Sequence, residues 1–312
     1  MVFDVQMAIY GTTVALNLSL SVAVGAVLAV LWLARETTAW PVAQLRNVRP
    51  VRIGATFAAL VAMGLLLPFV SASIAEVPLF EAGEATGAML TESHFGMAWA
   101  IGMGALVAAA STALVPSKQW MRSLAVLNLI ALAVALYTRS MVSHAAADGD
   151  LSLAVVVDWI HLCLTSVWVG EVFLSALVTL RGRVPAHAAD RAQVARYIEN
   201  LSSSATFALV GLFATGVFSA WHNLGSVAAL TGHSYGSLLL LKLGLVALAV
   251  LLGGLNRFIV MPSLLAGLRA AHADAAAPLR RFTLNLRIEA LVLLAVLIAA
   301  AFLSATSPPT SG

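Results

Sequence analysis

Two short stretches of this sequence set potential metal ligands side by side: Glu92-Ser93-His94-x-x-Met97, and Met141-x-x-His144 followed by Asp148 and Asp150. Residues three apart on a helix share a face, so each His/Met pair can present imidazole and thioether together. That donor combination suits copper better than magnesium or calcium, and thioethers favour Cu(I). The competing reading of Met97 and Met141 is ordinary apolar packing, the usual role of an isolated methionine. A third stretch runs Asp158-x-x-His161-x-x-x-Thr165-x-x-Trp168-x-Gly170-Glu171. At about 100° per residue, Asp158, His161, Thr165 and Trp168 fall within an arc of roughly 80°, with Glu171 at its edge. Glu171 lies roughly 15 Å along the helix from His161, so the face reads as a polar staircase, as an ion path would need. The lone Cys163 excludes an intramolecular disulfide and any zinc or iron–sulfur site built on several cysteines. No P-loop or phosphorylated-Asp motif supplies energy, and no nucleophile–base pair stands out, so the chain is not expected to be an enzyme.

The elements that carry these residues follow from composition. Of 312 residues, 61% are hydrophobic and 10% charged, too few polar side chains to cover a soluble globule. The apolar runs are long and unbroken, unlike the short alternating strands of a membrane barrel. An all-α, polytopic membrane bundle is predicted, a single transmembrane domain over residues 1–312. Its eight spans are expected at about 10–34, 53–71, 94–115, 120–139, 152–180, 203–221, 236–255 and 286–305. Pro41, Pro50, Pro78, Pro116, Pro185 and Pro278 fall between these spans, and Pro68 is placed to kink or end the second. Gly102, Gly104, Gly253 and Gly254 are candidates for close helix approach. The Ala-rich piece 266–277 reads as a loop or an interfacial helix.

Fifteen of the 17 Lys and Arg residues sit in alternate loops, which makes those loops cytoplasmic and both termini external. Arg139 and Lys242 are the exceptions. The first apolar run is followed by arginines and reads as a retained span with its N-terminus outside. His187 and His272 then belong to cytoplasmic loops and read as solvated. His94, His144, His161, His222 and His233 lie toward the outside, with His161 within a span. Each intramembrane polar residue has a second reading. Asp158 can pair with Lys242, Lys242 can snorkel outward, Glu171 can be neutralised by an arginine, and Glu289 by Arg287 or Arg257. His161 is the hardest to explain as packing, because a buried imidazole needs partners that an apolar face lacks.

Ser143-His144-Ala145-Ala146, Asp158-x-x-His161, Trp168-x-Gly170, Tyr235-Gly236, Leu240-Leu241-Lys242-Leu243, Asn256-Arg257 and Pro262, in that order, resemble the copper resistance protein D (CopD) family. Phe95-Gly96-x-x-Trp99 adds to the resemblance, which extends over roughly residues 90–265. It implies a bacterial inner-membrane protein that handles copper, moves it from periplasm to cytoplasm, and cooperates with a small periplasmic copper-binding protein of the CopC type. His144 and His161 are the positions it carries over, while His94, Met97 and His222 are not taken from it. Glu171 stands where many relatives have a second glycine.

Three readings follow. A copper transporter would capture the ion with His94, His144, His222, Met97 and Met141, pass it by His161 and Asp158, and use Asp158, Glu171 and Lys242 for the path or for proton coupling. A membrane b-type cytochrome would instead use histidines on facing helices to ligate haem. A non-transporting copper sensor or docking protein would need the external cluster and not the inner carboxylates.

Overall fold

The structure is a computed structural model and describes residues 2–224, 234–270 and 275–306. The described residues form helices and connecting turns, with no strand among them. In chain order the helices are α1 (Val2–Leu33), α2 (Ala39–Ala75), α3 (Gly83–Glu92), α4 (His94–Leu114), α5 (Met121–Ser140), α6 (Leu153–Leu174), α7 (Ala188–Leu224), α8 (Ser234–Leu255), α9 (Met261–Arg269) and α10 (Ala276–Ser304). Two π-helical turns, Ser175–Thr179 and Asn256–Val260, continue α6 and α8. Eight of these segments are long and apolar enough to cross a bilayer, matching the eight expected spans. His233 and His272 lie outside the described residues.

Several helices extend beyond the apolar segments that predict them. α2 starts at Ala39, and Pro41 and Pro50 lie within it. Pro68 does not end it, since the helix continues to Ala75. The polar extension is used. The guanidinium groups of Arg49 and Arg52 donate to the carbonyls of Leu114 (3.3 Å) and Ala113 (3.1 Å), which are left free at the C-terminus of α4. The carboxylate of Asp190 accepts from the Trp40 backbone N–H at 2.8 Å and serves the start of α2 in the same way. α7 likewise begins fifteen residues before its apolar stretch, and Arg196 and Gln193 there hold Glu36 at 2.7 Å each. α3 has no counterpart among the predicted elements. Part of the piece 266–277 is helical, as the end of α9 and the start of α10.

α1, α6 and α10 are the most enclosed spans, and α7 and α8 the most exposed. α1 packs on α2, α5, α6 and α10, while α6 also meets α5, α7 and α10. The α1–α6 contact is backbone on backbone. A Cβ at Gly170 would lie 1.8 Å from the Ser21 carbonyl oxygen, and one at Gly25 would lie 2.3 Å from the Gly170 carbonyl carbon. Only hydrogen fits at either position. Of the four glycines expected to serve this purpose, Gly102 does, against Thr138 and Met63. Gly104 and Gly254 face open space, and a Cβ at Gly253 would make ordinary contacts.

Gly170→Ala therefore pushes α6 off α1 and is expected to destabilise the protein by about 3 kcal/mol or more, the upper end of overpacking costs. Gly104→Ala, with nothing within 4 Å, should stay within about 0.5 kcal/mol of the parent. Thermal unfolding of the two variants in detergent checks the contrast.

Candidate functional site

The segment between α5 and α6 brings the first polar groups together. α5 ends at Ser140, and a 3-10 turn then runs from His144 to Asp148. The Ser143 hydroxyl accepts from the Ala145 N–H at 3.2 Å and starts that turn. Gly149 closes it at φ 102°, a left-handed conformation that favours glycine. Folded this way, Ser143 Oγ lies 3.2 Å from Asp158 Oδ2 and 3.0 Å from the Ser140 carbonyl, and its single proton serves one of them at a time.

Asp158 is half-buried and faces two cations, Arg139 from α5 and Lys242 from α8, both within electrostatic reach. These are the two basic residues that depart from the loop pattern, and both address the same carboxylate. Neither forms a direct ion pair with it. Among the described residues, ion pairs within 4 Å are His94–Asp150, Arg196–Glu36 and Arg269–Glu199. The pairing expected of Asp158 and Lys242 is thus a through-space attraction rather than a contact.

One turn further along α6, His161 Nδ1 lies 2.9 Å from Thr215 Oγ1 on α7. Thr215 Oγ1 also lies 2.8 Å from the Gly211 carbonyl, a second acceptor for the hydroxyl proton. When that carbonyl takes the proton, Nδ1 of His161 is the donor and the neutral ring keeps its lone pair on Nε2. A hydroxyl that holds one imidazole nitrogen so that the other is free is a familiar arrangement of metal-binding histidines. Gly211 also makes room for Leu164, whose Cδ1 lies 2.4 Å from where a Cβ would stand. The same turn of α7 thus seats α6 and orients its histidine.

Deeper in the bundle, Trp168 Nε1 donates to Glu289 Oε1 at 3.0 Å, tying α6 to α10. Ser204 on α7 donates to Glu171 Oε1 at 2.6 Å, and Glu171 Oε2 is buried without a hydrogen-bond partner. Both carboxylates are enclosed, Glu171 at 1% and Glu289 at 3% exposure. The arginines expected to neutralise them are engaged elsewhere. Arg257 Nη1 donates to the Ser202 hydroxyl and carbonyl at 2.5 and 3.0 Å, and Arg287 Nε to the Ala176 carbonyl at 3.4 Å. The face of α6 read from the sequence is therefore polar along its length, with α7 and α10 supplying the partners. Thr215, Ser204 and the Trp168–Glu289 bond carry no motif. The only signal for them is a polar residue inside an apolar span.

The residues nearer the helix ends are less concentrated. His94 Nε2 lies 2.9 Å from Asp150 Oδ2, which joins the start of α4 to the turn that carries His144. Tyr137 donates to the Asp150 carbonyl at 2.6 Å and secures that turn. His144 is exposed. Met97 is 47% exposed, whereas Met141 is buried at 7%. Met141 and His144 do not share a helix face, because α5 stops before them and the chain turns. His222 is exposed near the end of α7, its ring stacked on Phe218 with centroids 6.1 Å apart. Among the described residues, no three His, Cys, Asp or Glu side chains gather as a metal cluster.

Residues 4–153 match the family profile described as "Copper resistance protein D-like, N-terminal domain", and residues 195–303 match "Copper resistance protein D". These matches reach beyond residues 90–265 at both ends. The centre of α6 lies between them. The copper resistance protein D of Pseudomonas syringae pv. tomato is 30% identical over 247 residues, which cover 76% of this chain and 79% of that protein. No solved structure matches the chain. With eight apolar spans and similarity along most of its length, the chain is a multi-pass membrane protein that belongs to the copper resistance protein D family, with a role in copper resistance.

Proposed function

We propose that this protein carries copper across the bacterial inner membrane, from periplasm to cytoplasm, with His161 as the ligand inside the bilayer. The observation that carries the reading is the His161–Thr215 hydrogen bond, which engages Nδ1 of an imidazole in the interior of an apolar bundle and, with the Thr215 proton on the Gly211 carbonyl, leaves Nε2 its lone pair. The distribution of arginine and lysine supports the orientation, with both termini and His94, His144 and His222 on the periplasmic side. Copper reaches that end as cargo, handed over by a periplasmic copper-binding protein of the CopC type. His94 and His144 flank the handover point, since Asp150 links their segments. Met97 and Met141 contribute little there: one side chain is largely exposed and the other is buried in the core. The ion moves as Cu(I), the state suited to sparse, soft and nitrogen donors. No enzymatic step is part of this reading.

Charge balance decides whether copper can stay at His161. Arg139 and Lys242 are two positive charges facing one carboxylate, and Lys242 also acts on His161 itself. An arriving cation needs Asp158 as its counter-charge and competes with Lys242 for it. Lys242→Gln is expected to strengthen copper binding and Asp158→Asn to abolish it. Titrating each purified variant with Cu(I) against a competing chelator reads the two shifts, and equal affinities in both would remove Asp158 from the path.

His161→Ala is expected to eliminate the intramembrane copper, and Thr215→Val to weaken it about 10- to 100-fold, as loss of the bond that orients a ligand does. His187→Ala, on an exposed loop at the opposite end, serves as the unaffected control. Metal analysis with an optical spectrum on the same samples tests the haem reading, because a Soret band lost in His161→Ala would make the protein a cytochrome.

A further inference from the structure

A cavity of about 230 Å³ lies between α6, α7, α10 and the π-helical turn after α8, toward the arginine-rich end. Val172, Leu209, Val250 and Leu286 line its apolar part. Phe258, 75% exposed, stands on its wall, so the space opens at the surface of the bundle. α7 and α8, which form that side, are the most exposed of the spans, and the opening therefore faces lipid. From this geometry we infer that the cavity binds an anionic phospholipid, with an acyl chain in the apolar space and the phosphate on Arg257. The leaflet is the cytoplasmic one in the orientation proposed above, and the site does not depend on copper transport.

Size and lining select the chain. A single water needs only about 10–15 Å³ of such space, so a lone ion or water would leave most of the cavity empty. The polar groups on the wall are already engaged. Asn256 Nδ2 donates to the Phe282 carbonyl at 3.2 Å, and its Oδ1 accepts from Asn285 at 3.1 Å. Glu289 is 3% exposed and accepts from Trp168, so it presents little to the space. Thr206 gives its hydroxyl proton to the Ser202 carbonyl at 2.7 Å. A hydrocarbon chain asks nothing further of these groups, whereas a polar occupant would find few partners.

Arg257 selects the headgroup. Its Nη1 donates to the Ser202 hydroxyl and carbonyl, which fixes the guanidinium at the cavity. Its Nε and Nη2 make no hydrogen bond among the described residues. Arg196 and Arg269 at this end are paired with Glu36 and Glu199, but among the described residues no carboxylate lies within 4 Å of Arg257. A guanidinium stays charged in any surroundings, and at a lipid boundary a phosphate is the counter-anion that suits its fork of donors. Arg280 and Arg281, both exposed at the start of α10, add positive charge at the same end. Basic pockets between spans on the cytoplasmic side bind anionic head groups in this way.

The test adds phosphatidylglycerol or phosphatidylcholine with identical acyl chains to the delipidated full chain in detergent, and native mass spectrometry counts the lipids held per chain. The parent protein is expected to hold about one phosphatidylglycerol, about fivefold more tightly than phosphatidylcholine, the worth of one basic residue at an anionic surface. Arg257→Gln is expected to erase that preference. Gly254→Leu enters the cavity from a position with nothing within 4 Å, so it fills the space without disturbing the helices and is expected to weaken both lipids about fivefold. Arg183→Gln, on an exposed loop, should change neither. Equal binding of the two lipids by the parent, or a preference retained in Arg257→Gln, would overturn the assignment of the phosphate to Arg257. Undiminished binding in folded Gly254→Leu would overturn the placement of the chain. Displacement of phosphatidylglycerol by inorganic phosphate at equal concentration would make this a phosphate site and overturn the lipid.

Discussion

The contact between the backbones of α1 and α6 governs much of this architecture. Gly25 and Gly170 face each other with no room for a methyl group on either side. That approach fixes the rotation of α6 about its own axis. With one side pressed against α1, the side bearing Asp158, His161, Trp168 and Glu171 is presented to α5, α7, α8 and α10. A lipid environment gives helices no hydrophobic reason to associate, so close backbone packing and a few internal hydrogen bonds must supply the specificity. Gly170 is thus the packing element of the Trp-x-Gly motif, and Trp168 is its polar one, bonded to α10.

The polar groups of the interior form a sequence of small pairings rather than one large site. Ser143 meets Asp158, Thr215 meets His161, Trp168 meets Glu289 and Ser204 meets Glu171. The pairings join α6 to the turn before it, to α7 twice and to α10. None is a buried ion pair, which would fix the elements strongly and hold a charge in place. Neutral donors orient the histidine and the carboxylates, the groups that meet the cation in the transport proposed above. Arg139 and Lys242 are the counterweight, concentrated beside Asp158 at the His-bearing end.

Much of this was legible in the sequence, and the limits have physical causes. Span number follows from hydrophobic length, so eight spans emerge correctly. Their ends do not, because polar residues at the arginine-rich end continue α2 and α7 and cap neighbouring helices, a use that apolar length cannot register. Asp158 and His161 stand out because helical periodicity puts them on one face of an otherwise apolar element. Their partners are polar residues from distant segments, and spacing along one helix says nothing of the helix opposite. The Met141–His144 pairing fails for a local reason: periodicity holds only while the helix lasts, and α5 ends at Ser140. Gly104 and Gly254 resemble packing glycines in sequence but face open space, since glycine permits close approach without requiring it.

In the transport proposed above, an imidazole nitrogen of His161 ligates copper within the bilayer. Copper X-ray absorption on the purified, copper-loaded protein addresses it directly, since a coordinated imidazole adds outer-shell scattering from its ring atoms. This scattering is expected in the parent protein, is expected to persist in His94→Ala and to disappear in His161→Ala. Scattering unchanged in His161→Ala, or lost in His94→Ala alone, would place the ion at the end of the bundle and remove His161 as its ligand.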